Sequence, residues 1–167
     1  METVPPDRLP RQERGVSRQE RVLSIDPGER RVGLALAEPG QALVRGLPTL
    51  DRKVLKRTLV EEITGLVREH AVERIVLGIP YSLDGTEGPA ARLVRKFEAA
   101  LRNALDVPVS EWDERLTSEA ARTRLRDLGY SEREMRSRLD QLSAVLILEG
   151  WLRARTLSED RESEGRG

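Results

Sequence analysis

The segment at residues 21–39, RVLSIDPGERRVGLALAEP, limits the possible folds of this chain more than any other stretch. A short apolar run reaches Ile25 and ends on an acid, Asp26, and a second apolar run begins a few residues later. Between them Pro27 fixes φ and Gly28 tolerates a positive φ, so the chain turns there. The pattern predicts a β-hairpin that presents the Asp26 carboxylate at the end of its first strand.

Composition limits what is built around this hairpin. The chain has 167 residues, of which 38% are hydrophobic and only 3% aromatic, which predicts one domain with an aliphatic core. Its 29 basic and 29 acidic residues balance, so any nucleic-acid surface must be local. Cysteine is absent, and no apolar run approaches the roughly 18 residues that span a bilayer. We expect a cytoplasmic protein without membrane contact, disulfides or thiolate metal sites.

Both ends of the sequence are polar and lack hydrophobic periodicity. Residues 1–19 include three prolines, and residues 157–167 read LSEDRESEGRG. Such composition predicts disorder, because it offers too little apolar surface to bury. We therefore predict a disordered N-terminal tail at 1–19, an ordered domain at 20–156 and a disordered C-terminal tail at 157–167.

The strands follow from short apolar runs separated by turn residues. Three consecutive runs with short links, at residues 20–26, 31–37 and 41–50, predict an antiparallel meander. The continuous apolar run at 75–79 predicts a central strand covered on both faces, and residues 107–112 a short last strand. With intervening helices, the order β-β-β-α-β-α-β-α-α predicts an α/β fold with a five-stranded mixed sheet flanked by helices.

Four helices are predicted from apolar spacing and from residues that suit helix starts. The last one extends to about residue 155. The predicted starts are Asp51 as an N-cap, Pro89 in a first turn, Thr117 or Ser118 as an N-cap, and a capping box of Ser131 with Glu134.

Three acids stand out by their position. Asp26 ends the first strand, Glu114 follows the fifth strand, and Asp140 lies on the apolar stripe of the last helix. Sites in open α/β sheets collect at the carboxyl ends of strands, and a buried acid is costly unless it is paired or binds a metal. Three carboxylates without His or Cys suit two Mg²⁺ or Mn²⁺ ions, which can activate water and stabilise the leaving oxygen at a phosphate.

Each acid also has a structural interpretation. Asp26 could serve only as a turn former, Glu114 could pair with a surface Arg, and Asp140 could pair with Arg136 or Arg138. A second candidate pair, Asp84 and Glu87, lies in the glycine-rich loop after the fourth strand, where Asp84-Gly85 is explained adequately as a turn.

Four motifs together resemble the YqgF/RuvX family of pre-16S rRNA nucleases and Holliday junction resolvases. They are IDPGERRVGLAL, GIPYSLDGTEGP, WDERLTSEAA and LDQLSAVLILEGWL, and the resemblance covers residues 20–155. It implies a ribonuclease H-like fold and a metal-dependent nuclease with Asp26, Glu114 and Asp140 as catalytic and metal-binding acids. Related junction resolvases take a metal-binding acid from the end of the fourth strand. Here that strand ends in Ile79-Pro80, and we assign the role to Glu114.

Substrate binding is assigned to glycines and to polar or charged residues near the acids. Gly28 lacks a side chain, so a phosphodiester backbone can approach Asp26. The segment before Asp140 is rich in Arg where the family is often rich in Lys. The predicted substrate-binding residues are Gly28, Arg30, Arg31, Asp84, Gly85, Arg115, Arg136 and Arg138.

We expect an endonuclease that processes the 5′ end of precursor 16S rRNA, with structured RNA and a pre-ribosomal particle as partners. One alternative is a Holliday junction resolvase acting on branched DNA, which requires two active sites and hence a homodimer rather than a monomer. Another is a non-catalytic RNA-binding factor for ribosome assembly. A sugar-kinase or actin-like ATPase would need two such domains, and the ordered chain is too short for them.

Overall fold

The computed structural model describes residues 20–39 and 43–165, and its strands form one mixed five-stranded sheet. Along the sheet the order is β3-β2-β1-β4-β5. The first three strands are antiparallel neighbours, whereas β4 runs parallel to both β1 and β5. The predicted meander and the α/β fold are therefore confirmed. The strands are β1 Val22–Pro27, β2 Arg31–Ala37, β3 Arg45–Asp51, β4 Arg74–Ile79 and β5 Val109–Asp113.

Four α-helices connect and cover the strands, and several begin or end where the sequence predicts. Pro89 occupies the first turn of α2, the Ser131–Glu134 capping box opens α4, and Gly129, with φ of 82°, follows α3. No described helix, including the 33-residue α4, combines the length and apolarity that crossing a membrane needs. The helices are α1 Leu59–Glu69, α2 Pro89–Ala104, α3 Ser118–Asp127 and α4 Glu132–Glu164, with a 3₁₀ turn at Glu114–Leu116.

The sheet is covered on both faces, which gives three layers. Residues such as Ile25 and Leu77 pack toward α1 and α2, whereas Ala35 and Val76 pack toward α4. The α4 side includes the small residues Ala35 and Ala144, and the helix lies close to the sheet there: the Ser24 hydroxyl donates to the Ala144 carbonyl at 2.7 Å. This close approach brings the polar first half of α4 to the edge where β1 ends.

The predicted start of the first helix is wrong. Asp51 is the last residue of β3, and its carboxylate accepts the Lys53 N–H in a turn. The N-cap is instead Thr58, which forms a capping box with Glu61 that satisfies the first N–H groups of α1. Val54 is 72% exposed in the segment that connects β3 to α1.

The predicted C-terminal tail is also wrong over residues 157–164, because α4 continues to Glu164. Local side-chain contacts support the extra turns: Arg155 pairs with Glu159 at 3.4 Å, one turn apart, and the Ser158 hydroxyl donates to the Ala154 carbonyl. The predictions for residues 1–19, 41–42 and 166–167 fall outside the described residues.

Candidate active site

The carboxyl ends of the three parallel strands bring Asp26 and Glu114 together. Asp26 lies near the end of β1, Glu114 directly follows β5, and β4 runs between them. At Gly78 on β4, an added Cβ would lie 2.8 Å from Glu114 Oε1. Because glycine leaves that space, the Glu114 side chain extends across β4, and its carboxyl group hydrogen-bonds to that of Asp26.

A second glycine brings Asp140 to the same place. Gly33 on β2 pairs with Asp26 in the antiparallel register, and cross-strand partners share a face of the sheet. A Cβ at Gly33 would overlap the Asp140 carbonyl oxygen, so only glycine allows α4 to approach this closely. The Asp140 carboxylate acts electrostatically on Asp26 and lies 4.0 Å from Arg31 Nη1.

All three acids hold their protons more strongly than exposed carboxyls do. Burial, followed by the charge of Asp26 and their hydrogen bond, raises the pKa of Glu114 to about 9. Burial also raises the pKa of Asp26, with a further contribution from Asp140, although the hydrogen bond with Glu114 opposes it. The pKa of Asp140 is raised by burial, which outweighs the influence of Arg31. At neutral pH the Asp26–Glu114 pair therefore retains a proton, the state expected of two carboxyl groups in direct contact.

The carboxylate oxygens of the three acids suit a hard divalent cation, although the three side chains are not yet close enough to bind one together. Within the described part of the chain, no group of three or more acid or imidazole side chains is close enough to hold a metal ion. The assignment of Asp26, Glu114 and Asp140 as metal ligands stays a prediction. Asp26 and Glu114 are in contact, however, and all three groups offer only oxygen donors, which Mg²⁺ and Mn²⁺ prefer.

The geometry of the turn itself requires glycine at position 28. A Cβ there would overlap the Arg31 carbonyl oxygen across the turn. Glycine at this position is therefore explained without the predicted approach of a phosphodiester backbone. Of the two basic residues that follow it, Arg31 faces Asp140, and Arg30 pairs with Asp51 at 3.5 Å.

The loop after β4 is explained by its own contacts. The Asp84 carboxylate accepts the N–H and hydroxyl of Thr86, which lowers its pKa, and Gly85 adopts a φ of 85°. Arg115 forms a bidentate pair with Asp113. These residues shape the loop, and a substrate role for Asp84, Gly85 and Arg115 stays a prediction.

The two remaining basic candidates lie on the first turns of α4. Arg136 is exposed and precedes Asp140 by one helical turn, so both point from the same face of the helix. The Arg138 guanidinium stacks over the Tyr130 ring at 4.5 Å. Only Arg136 is thus placed, by its spacing, on the face that carries the acid.

Sequence reasoning missed the two positioning glycines and a cavity. Gly33 and Gly78 sit inside buried strands, where an isolated glycine indicates a close approach, so a signal was available. The cavity, about 570 Å³, borders Asp26 and Glu114 and carries Arg52 on its rim. Nothing local in the sequence marks Arg52, because the cavity joins segments that are distant along the chain.

Comparison with known proteins places the chain among nucleases. Residues 20–154 match the RuvX family, described as Holliday junction resolvase. A protein named "Putative pre-16S rRNA nuclease" from Anaeromyxobacter sp. (strain K) is 44% identical over 135 residues, covering 79% of this chain and 96% of that protein. One of the same name from Chloroflexus aurantiacus is 37% identical over 143 residues, covering 86% and 93%.

A comparison of structures agrees on the fold. The structure of T. thermophilus RuvC in complex with a Holliday junction substrate matches with a TM-score of 0.53. The match covers 81% of this chain and 96% of that chain, at 15% sequence identity. At that identity the likeness concerns the ribonuclease H-like architecture alone, and it confirms the predicted fold.

Proposed function

The chain belongs to the RuvX family, and from this premise we propose that it is a metal-dependent endonuclease that processes the 5′ end of precursor 16S rRNA. The observation that carries the proposal is the half-buried, hydrogen-bonded pair Asp26–Glu114 with Asp140 beside it. A protein that only binds RNA gains nothing from three such acids, because they repel phosphate. The name that the relatives share motivates the choice of RNA as substrate.

Asp26, Glu114 and Asp140 would hold the metal. One or two bound Mg²⁺ or Mn²⁺ ions would supply an activated water and stabilise the charge that develops on the phosphate oxygens. Because the pKa values of Asp26 and Glu114 are raised, their carboxyls would have to release the retained proton to hold a cation, so binding would strengthen as pH rises.

The protein itself positions the groups. Gly78 gives Glu114 its path to Asp26, and Gly33 sets the distance of α4. Arg31, which is partly exposed and next to Asp140, and Arg136, one turn before Asp140, would contact the phosphates on either side of the cleaved bond. Strands and the capped helix α4 carry these residues, so their relative positions are set by the packed core.

The proposal is tested with purified protein, Mg²⁺ or Mn²⁺, and an RNA that contains the 5′ leader of 16S rRNA. We expect the wild-type protein to cleave and Asp26→Asn to be inactive. Asp106→Asn is the matched control, because Asp106 is exposed in the segment before β5, at the opposite edge of the sheet. Equal cleavage by wild type and Asp26→Asn would refute the mechanism. Normal rRNA maturation in cells carrying Asp26→Asn would support the non-catalytic assembly factor instead.

A Holliday junction resolvase is the second candidate, favoured by the description of the matched family. The chemistry would be the same, but two sites must act on strands of opposite polarity, so a homodimer is expected. Incubation with a four-way DNA junction, together with measurement of the mass in solution, separates the two. A monomer that leaves the junction intact would exclude the resolvase.

A further inference from the structure

The cavity beside the acids has two chemically different sides. One side consists of Asp26, Glu114 and the turn that follows β1. The other is an apolar wall that α2 and the end of β4 provide. The cavity has a volume of about 570 Å³, which lies within the usual range for small-molecule sites. The wall is formed by Pro80, Ala90, Leu93, Val94 and Phe97.

Part of this apolar wall is exposed to solvent and does not belong to the buried core. Leu93 is 63% exposed, whereas Val94, its neighbour on the helix, is buried in the core. Phe97, the only phenylalanine of the chain, packs partly against the core and also lines the cavity. A single exposed leucine is ordinary, but here it joins an aromatic side chain in one concave surface next to the candidate active site.

Arg52 supplies a positive charge at the rim. Its Nε donates to the Gly28 carbonyl at 2.9 Å and its backbone N–H to the Arg30 carbonyl, so it is anchored to the turn after Asp26. Among the described residues it forms no ion pair, whereas Arg30 beside it pairs with Asp51. Glu29 also lines the cavity, and it is the only other charged residue there apart from Asp26 and Glu114.

We propose that the cavity binds one unpaired nucleotide of the nucleic-acid substrate, with the base against Leu93 and Phe97 and its phosphate on Arg52. The inference rests on the proposed nuclease function and adds that the substrate is unpaired next to the cleaved bond. Bases that have left a duplex stack on aromatic and apolar side chains, whereas bases inside a duplex have both faces covered. The cleaved bond therefore lies beside an unpaired nucleotide, in a single strand or where a strand leaves a helix.

The inference is tested by equilibrium binding of the full chain in metal-free buffer at one fixed salt concentration, where no cleavage occurs. The probes are a six-residue oligouridylate and a six-residue ribose-phosphate oligomer without bases. The wild-type protein should bind the oligouridylate about tenfold more tightly. Leu93→Ser and Ala90→Trp, which remove and obstruct the apolar wall, should abolish that preference. Arg52→Gln should weaken the binding of both probes.

Two matched controls separate cavity effects from general ones. Leu157→Ser changes a helical leucine that is 56% exposed and far along α4, and Ala99→Trp changes an exposed alanine of α2 that does not line the cavity. Both should bind like the wild type. Equal affinity of the wild type for the two probes, or an unchanged preference in Leu93→Ser and Ala90→Trp, would overturn the inference.

Free uridine monophosphate distinguishes a polymer site from a site for a small nucleotide. If it binds as tightly as the oligouridylate, the cavity serves a free nucleotide and the inference is wrong. Cleavage assays keep the two proposals apart. Base-dependent binding together with full cleavage by Asp26→Asn would refute the nuclease mechanism alone. Loss of cleavage in Asp26→Asn without base-dependent binding would refute the cavity assignment alone.

Discussion

Two groups of three acids, one at the carboxyl edge of the sheet and one around Arg95 on α2, differ in how their charge is balanced. In the second group, which we call the Arg95 cluster, Arg95 binds Glu87 at 2.7 Å, Glu98 at 2.9 Å and also Glu111. These hydrogen bonds, that with Glu111 first, raise the pKa of Arg95. Although burial opposes it, hydrogen bonds from Arg102 and Arg95 lower the pKa of Glu98.

The site acids Asp26, Glu114 and Asp140 show the opposite behaviour. The pKa of each is raised, with burial as the largest cause, and Asp140 lies 4.0 Å from the partly exposed Arg31. Acids that the fold neutralises with its own cation contribute to structure. Acids whose pKa is raised by burial keep protons and can exchange them for an external cation.

The largest effect is expected from Glu114→Gln. This change removes a proposed metal ligand and should lower the rate of RNA cleavage by about 10³-fold, equivalent to about 4 kcal/mol. The melting temperature of the metal-free protein should not fall, because the neutral amide replaces a carboxyl group that the folded state keeps protonated. Single-turnover cleavage and thermal unfolding measure the two quantities. A large loss of stability would make Glu114 a structural residue.

The Arg95 cluster should respond in the reverse way. Arg95→Met leaves three carboxylates without their shared partner and should lower the free energy of unfolding by about 2 kcal/mol, while cleavage per folded molecule is kept. Urea unfolding measures the change. Arg92→Met, at an exposed position of the same helix, is the control and should change stability little. An Arg95→Met protein that is fully stable would remove the contrast between the two groups.

The space that Gly78 provides can be filled by one methyl group. Gly78→Ala places a Cβ against Glu114 and against the Ile147 side chain, and overpacking of this kind should cost about 2 kcal/mol. It should also move Glu114 away from Asp26 and reduce cleavage. Gly65→Ala is the matched control, because a Cβ at that helical position meets no atom within 4 Å, and it should be neutral or stabilising. Equal results for the two variants would mean that Glu114 does not depend on this gap.

The last expected effect is a difference in pH dependence between the two groups of acids. The pKa of Glu114 is about 9 in the folded protein against 4.5 ordinarily, so between these values the unfolded chain loses a proton that the folded chain keeps. The stability of the metal-free protein should therefore fall as pH rises through this window, by at most about 1.4 kcal/mol per unit. Glu98, with a lowered pKa, contributes stability that is present above pH 4.5 and lost on acidification.

Urea unfolding of the metal-free protein between about pH 5 and pH 9 measures the loss of stability that the raised pKa of Glu114 should cause. The Glu114→Gln variant should give the flatter profile, and the Glu98→Gln variant should keep the slope of the wild type. Parallel profiles for wild type and Glu114→Gln would contradict the raised pKa of Glu114.

The sequence was sufficient for the sheet because each of its signals is local. The turn after Asp26 and the apolar run before Ile79 each specify one element, and the order of the elements allows few topologies. Where two local signals compete, the sequence alone does not decide between them. The start of α1 shows this: both Asp51 and Thr58 can cap a helix, and the pairing of Asp51 at the end of β3 makes Thr58 the cap.

The site was predictable only in part. Asp26 and Glu114 could be chosen because strand ends are local features, but their contact depends on Gly78 of a third strand. Arg115 was predicted to bind the substrate, yet its guanidinium pairs with Asp113, two residues earlier. This pairing depends on the positions of the side chains in the folded protein, which the sequence pattern does not report. Arg52 lines a cavity formed by segments far apart in sequence, which no local pattern reports.

The contrast between the two groups of acids is tested most directly by anomalous diffraction from crystals soaked in Mn²⁺ at a pH near 8. We expect manganese at the site acids, bound by Asp26 and Glu114 and with Asp140 within reach of the ion or its water ligands, and none at the Arg95 cluster. The same crystals of Asp26→Asn should lack that peak. Saturating Mn²⁺ that leaves the site acids empty, or that binds among Glu87, Glu98 and Glu111 instead, would contradict it.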